Sequence, residues 1–127
     1  MQTHVVPNIA LLVGRLLVAA LFFSGAAQKA LAPNNVQDLL ATQGWPTLLV
    51  WPALVFNFCA GVMLTLGLLL RPLSVLLAVY CGVTSFFHLI PHDPWQMSIF
   101  VKNWSIAGGC LIMAVAGPGR YAFADQR

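Results

Sequence analysis

Four long apolar runs occupy almost the whole of this 127-residue chain: 8–31, 46–70, 72–90 and about 94–116. A helix needs roughly 20 apolar residues to cross a hydrocarbon layer about 30 Å thick, and each run reaches that length. Runs this long without alternation of polar and apolar residues read as helices, which satisfy their own backbone in lipid. The expected fold is all-α: an integral membrane four-helix up-down bundle in one domain, 1–127, with a short amphipathic surface helix after the first span. In such a chain the informative residues are the few polar ones that lipid should have excluded.

Composition narrows the class further. The chain is 60% hydrophobic and 7% charged, where a soluble domain carries about 25% charged residues. No extramembrane domain is expected, and the bilayer is the first partner. The formal charge of +3 comes from six scattered Lys and Arg residues. Nucleic-acid binding requires clustered basic residues, so that partner class is excluded. The basic residues serve orientation instead. Arg71, Arg120 and Arg127 fall on one side of a four-span chain, and the loops with Asp38 and Asp93 on the other. The positive-inside rule then favours a multi-pass membrane protein with both termini inside. The first run imitates a signal peptide at Ala30-Leu31-Ala32, but no Lys or Arg precedes it and Arg15 interrupts it. It is expected to be a retained span.

Punctuation along the chain places the connections. Asn8 follows Pro7 as a helix cap. Between Asn34 and Gly44, Val36, Leu39 and Leu40 share one helical face, an asparagine can start the piece and Gly44 can end it. Trp45-Pro46 and Trp51-Pro52 fit an interfacial opening of the second span. Arg71-Pro72 is expected to form a tight turn into the third, which stops at Pro91. Asp93-Pro94-Trp95-Gln96 reads as a helix start: Asp93 caps, Pro94 takes the first position and Gln96 completes a capping box. Gly117-Pro118-Gly119 ends the fourth span.

The polar residues sort by helical spacing into a candidate site. Lys29, His88, Lys102 and Asn103 belong to the outer half of the membrane under this topology, with Trp95 above them and Asn57 near mid-depth. Polar side chains in lipid face the bundle interior or snorkel to water. A polar, outward-opening ligand pocket is the sharper expectation. Snorkelling explains Lys29 equally well, and a packing histidine is the blander reading of His88. Arg15 could reach headgroups or fix the bundle through hydrogen bonds between spans. Arg15 and Asp93 are therefore the structural polar residues. His88 and His92 are four apart with Pro91 between them, so no metal site is expected. Cys59, Cys81 and Cys110 form no CxxC pattern and read as mid-membrane packing residues.

These residues together resemble the DoxX family of small bacterial membrane proteins. Arg15-Leu16-Leu17, Ser24-Gly25 and Lys29 resemble its first span; Gly61 through Gly67-Leu68 and Arg71 its second span and turn; Phe87-His88 the end of its third. Lys102-Asn103, Gly108-Gly109 and Gly117-Pro118-Gly119-Arg120-Tyr121, with Asp125, resemble its fourth span and tail. Many members carry a glutamate four residues before the glycine matching Gly61; Asn57 stands there in this chain and cannot relay a proton.

The resemblance implies a four-helix inner-membrane protein. Some relatives are linked to thiosulfate:quinone oxidoreductases and redox-stress complexes. The leading expectation is thus a redox-associated membrane subunit, partnered by other redox or membrane-complex subunits, whose pocket takes a quinone-like or other small amphipathic molecule. Quinone is the one candidate cofactor. Lys29, Lys102 and Asn103 would donate to ligand oxygens, His88 would exchange a proton, and Trp95 or Trp104 would pack against a ring. The competing expectation is a non-catalytic assembly or scaffolding subunit whose polar residues lock the bundle.

Overall fold

The computed structural model describes residues 5–122, so Asp125 and Arg127 lie outside the described residues. The described chain runs α1 (Val5–Leu31), α2 (Pro33–Thr42), α3 (Val50–Leu66), α4 (Leu70–Ser85) and α5 (Pro94–Ala116), with 3-10 turns at Thr47–Leu49 and Phe86–His88. Among the described residues, four stretches are long and apolar enough to cross a membrane: Val6–Leu31, Thr47–Leu66, Leu70–His88 and Pro94–Ala116. The fold is an all-α membrane bundle.

Each spanning helix buries one stripe. On α1, Arg15, Ala19, Phe22 and Ala26 are buried, and steps of three and four residues keep them on one face. Val50, Asn57, Ala60 and Leu64 do the same on α3, Leu70, Leu73, Leu77 and Cys81 on α4, and Ala107, Cys110 and Met113 on α5. The outward faces are equally apolar, with Leu17, Val55, Val79 and Ile112 exposed. Lipid tails are as apolar as leucine, so close packing rather than water exclusion drives the helices together. Gly61 shows this: a Cβ there would stand 2.8 Å from the Phe23 ring, so glycine lets α1 and α3 approach. α1 packs chiefly on α3, and α4 chiefly on α5; α3 and α4 touch lightly. The bundle is two helix pairs joined by the α3–α4 turn.

That turn lies earlier than the sequence suggests. The second span ends at Leu66 rather than Leu70, and Arg71 and Pro72 sit in the first turn of α4 instead of forming the turn. Gly67, with φ of 76°, closes α3 as the Leu68 N–H reaches Met63 O at 2.9 Å and the Gly67 N–H reaches Leu64 O at 3.3 Å. A left-handed glycine with this bond pair is a strong helix stop. Pro72 is tolerated because first-turn N–H groups have no partner inside the helix. Leu69 is held at φ of 48°, a conformation a leucine adopts at a cost. The surface helix also differs at its start. It opens at Pro33, which suits the first helical position, and Ala32 stands at the cap without a side-chain hydrogen bond where an asparagine was expected.

Candidate functional site

Polar side chains gather at two places. At one end of the bundle lie the start of α1, the end of α3, the start of α4 and the end of α5. Here Arg15, 2% exposed, donates from Nη1 to Pro118 O at 2.7 Å and from Nη2 to Tyr121 O at 2.7 Å and Thr65 O at 3.2 Å. Arg71 donates from Nη1 to Ala114 O and Val115 O in the last turn of α5. The Thr65, Ala114 and Val115 carbonyls lie in the last turns of α3 and α5, where they lack intrahelical donors and carry the negative end of the helix dipole; those of Pro118 and Tyr121 follow α5. A guanidinium is always charged and presents several donors in a plane, which suits it to such a cluster. Gly117 completes the fit. Its φ is 81°, and a Cβ there would lie 2.7 Å from Arg71 Nη2. The Arg120 N–H donates to Asn8 Oδ1 at 2.8 Å and ties the C-terminal segment to the start of α1. Of the two roles expected for Arg15, hydrogen bonding between segments is the observed one.

The opposite end, with α2 and the α4–α5 loop, holds the residues expected to bind a ligand. Lys29 extends the buried stripe of α1, three residues past Ala26 and seven past Phe22, and is half-buried. Its ammonium makes no hydrogen bond to a described residue. His88 extends the buried stripe of α4 past Cys81 and Ser85, and its Nδ1 lies 2.6 Å from Gln96 Oε1. With that oxygen as acceptor, Nδ1 carries the proton and Nε2 keeps a lone pair. Asn103 is half-buried, seven residues along α5 from Gln96 and four before buried Ala107. Lys29, His88 and Asn103 are therefore on inward stripes of three helices at one end.

Lys102 and Trp95 are not with them. Both are exposed, Trp95 at 74%, and they stand seven residues apart on an outward face of α5. One residue along a helix is a rotation of about 100°, so Lys102 points away where its neighbour Asn103 points in. Asn57 is 4% exposed and accepts a 3.3 Å hydrogen bond from the Tyr80 hydroxyl. Asp93 caps α5, accepting from the Trp95 N–H at 3.0 Å and the Gln96 N–H at 3.3 Å. Gln96 does not complete a capping box; its side chain turns to His88.

The hydroxyls beside His88 are committed to their own helices. Thr84 donates to Tyr80 O at 2.9 Å and Ser85 to Gly82 O at 2.6 Å. This is the usual way a serine or threonine satisfies itself in a membrane helix. Cys81 and Cys110 are buried and Cys59 is exposed. Among the described residues no cluster of His, Cys, Asp or Glu could hold a metal ion. Sequence reading missed Tyr80 and gave Gln96 a capping role in place of its bond to His88. A tyrosine in an apolar run and a glutamine seven residues before Asn103 were the available signals.

A small polytopic bundle with its polar groups at the helix ends defines a class of integral membrane protein. The DoxX family matches residues 10–90, more than half of the chain, and the protein belongs to that family. Two Escherichia coli proteins are similar along most of their length. Inner membrane protein YqjF is 28% identical over 91% of this chain and 89% of its own. Inner membrane protein YphA is 31% identical over 92% of this chain and 89% of its own. No solved structure matches significantly. These relatives and the apolar helices make this a multi-pass inner-membrane protein.

Proposed function

We propose that this protein is a redox-associated membrane subunit that holds a small amphipathic, quinone-like molecule at its Lys29 end. The observation that carries the reading is Lys29 itself: a half-buried cation on the inward stripe of α1 with no hydrogen bond to a described residue. An unpaired ammonium in lipid costs several kcal/mol on most scales, so it calls for water, a carbonyl or a ligand oxygen. Lys29 and Asn103 supply donors for a ligand carbonyl, and His88 Nε2 supplies an acceptor for a ligand hydroxyl. Asn57 and Tyr80, bonded to each other below, offer a polar floor. The DoxX resemblance supplies the redox association.

The geometry supports a smaller ligand set than the sequence suggested, with Lys102 and Trp95 outside it. Those two exposed residues favour the second reading, a scaffolding subunit that meets another membrane protein through the outward face of α5. The two readings separate in one experiment. Lys29→Met and Lys102→Met proteins are purified gently, and their bound small molecules are extracted and identified by mass spectrometry. Loss of a quinone-like molecule from Lys29→Met but not from Lys102→Met supports the pocket. A wild-type protein that carries no such molecule sinks it. Loss of co-purifying subunits from Lys102→Met supports the scaffold.

We also propose that both termini are cytoplasmic. Arg71 and Arg120 share the end where α1 begins and α5 finishes, whereas Asp38 and Asp93 lie at the other end. Alkaline phosphatase fused after Arg127 is expected to be inactive and a fluorescent protein there to glow. An active phosphatase reverses the orientation.

A further inference from the structure

The surface helix α2 is held to the bundle by little. Of its ten residues only Leu40 is buried, and no side chain caps its start. Thr42 bonds within the helix, to Asp38 O. Segments with few buried contacts open at low cost. Among the spanning helices α2 packs on α1 and α3, the two members of one pair. It reaches the other pair through Trp45. That residue follows Gly44, which has φ of 75°, and its N–H bonds to Leu40 O at 2.8 Å. The Trp45 ring meets Phe87 edge to face, with centroids 5.4 Å apart. The two ends of this segment fall beside two residues of the lysine end. Lys29 is three residues before Ala32, the single residue between α1 and α2. His88 follows Phe87 directly. The chain therefore leaves α1 beside Lys29, runs along α2, and touches the far pair at the neighbour of His88.

We propose that residues 32–45 form a strap that closes the aqueous mouth of the Lys29 site, latched by the ring contact between Trp45 and Phe87. The proposal rests on the lysine end being a binding site and adds how that site meets water. Three features suit a strap. Its hinges are single residues at the ends of α2: Ala32, at φ −140° and ψ 63°, and Gly44 in the left-handed region. Lids turn on a few such element-terminal positions. Its latch lies at the surface, with Trp45 46% exposed, so the rings part without leaving a cavity in the core. Its span joins the pair that carries Lys29 to the pair that carries His88. An aromatic pair shifts an open–closed equilibrium by about two- to tenfold, which holds the strap shut without locking it.

Lys29 and Lys102 are the two lysines of the chain, and Lys102, exposed on the outward face of α5, is an internal control. The full chain is placed in phosphatidylcholine nanodiscs, where both faces meet water, and treated with a membrane-impermeant amine-acylating ester. Peptide mass spectrometry reads the rate at each lysine. Trp45→Ala and Phe87→Ala should each speed acylation of Lys29 about two- to tenfold, with the rate at Lys102 unchanged. Trp45→Phe keeps a ring at the latch and should stay near the wild-type rate. No ligand is added, so the strap and the ligand reading can fail separately: extraction of bound molecules tests the ligand, and acylation tests the strap. An unchanged Lys29 rate in Trp45→Ala overturns the strap. So does equal acceleration at both lysines, which would mean that the bundle as a whole had loosened.

Discussion

The two ends of the bundle handle cations in opposite ways. At one end Arg15 and Arg71 donate to five backbone carbonyls, those of Thr65, Ala114, Val115, Pro118 and Tyr121. At the other, neither Lys29 nor Asn103 makes a hydrogen bond to a described residue. A guanidinium fork can hold several carbonyls at once, so it closes the ends of helices that would otherwise leave acceptors unpaired. An ammonium on a flexible stem is a point charge that remains available. The comparison assigns a structural role to the arginine end, and the lysine end is where the proposed ligand would sit.

The strongest way to break this contrast is to remove Arg15. Arg15→Met takes away three charge-assisted hydrogen bonds and leaves their carbonyls without that donor. A loss of about 3–5 kcal/mol is expected, from hydrogen bonds to a charged group worth about 1.5–3 kcal/mol each that do not add in full. Unfolding in detergent measures it, with Lys29→Met alongside as the control that should cost far less. Equal losses from the two variants would end the distinction between the ends.

Gly117→Ala comes next. It forces a side chain into a left-handed φ of 81° and against Arg71 Nη2. A cost of about 2 kcal/mol is expected from backbone strain of this kind. Faster proteolysis of the C-terminal segment should accompany the loss; a variant as resistant as the wild type would mean that Arg71 does not hold this segment.

At the lysine end the expected effects are smaller. Asp93→Ala removes the cap of α5 and should lower stability by about 1 kcal/mol. Hydrogen exchange at Trp95 and Gln96 reads the cap directly, and unchanged protection there would count against it. Tyr80→Phe removes the hydrogen bond to Asn57 and should cost about 0.6 kcal/mol, the usual size of a bond between membrane helices. A larger loss would make Asn57 and Tyr80 part of the structural framework rather than the floor of a site.

Much of the fold was legible because its signals are local. Apolar length gave the spans, and the Asp93-Pro94 pair gave the start of α5. The α3–α4 turn was ambiguous, since Gly67 and Pro72 are both helix punctuators five residues apart. Their competition was settled by Gly67 and Leu69 adopting left-handed backbone. The acceptors of Arg15 were not legible at all. They are backbone carbonyls 50 to 106 residues away, and a carbonyl has no residue type to recognise.

By itself, then, the sequence determined an all-α membrane bundle, its spans and the polar residues that interrupt them. The tertiary structure decided which of those residues face inward. In water, the apolar face of a helix announces its own direction because the other face is polar. In lipid both faces are apolar, so neighbours such as Lys102 and Asn103 cannot be assigned to a side by periodicity. The packing of α1 on α3 and of α4 on α5 makes that choice, and with it sets Lys29, His88 and Asn103 inward and Lys102 out.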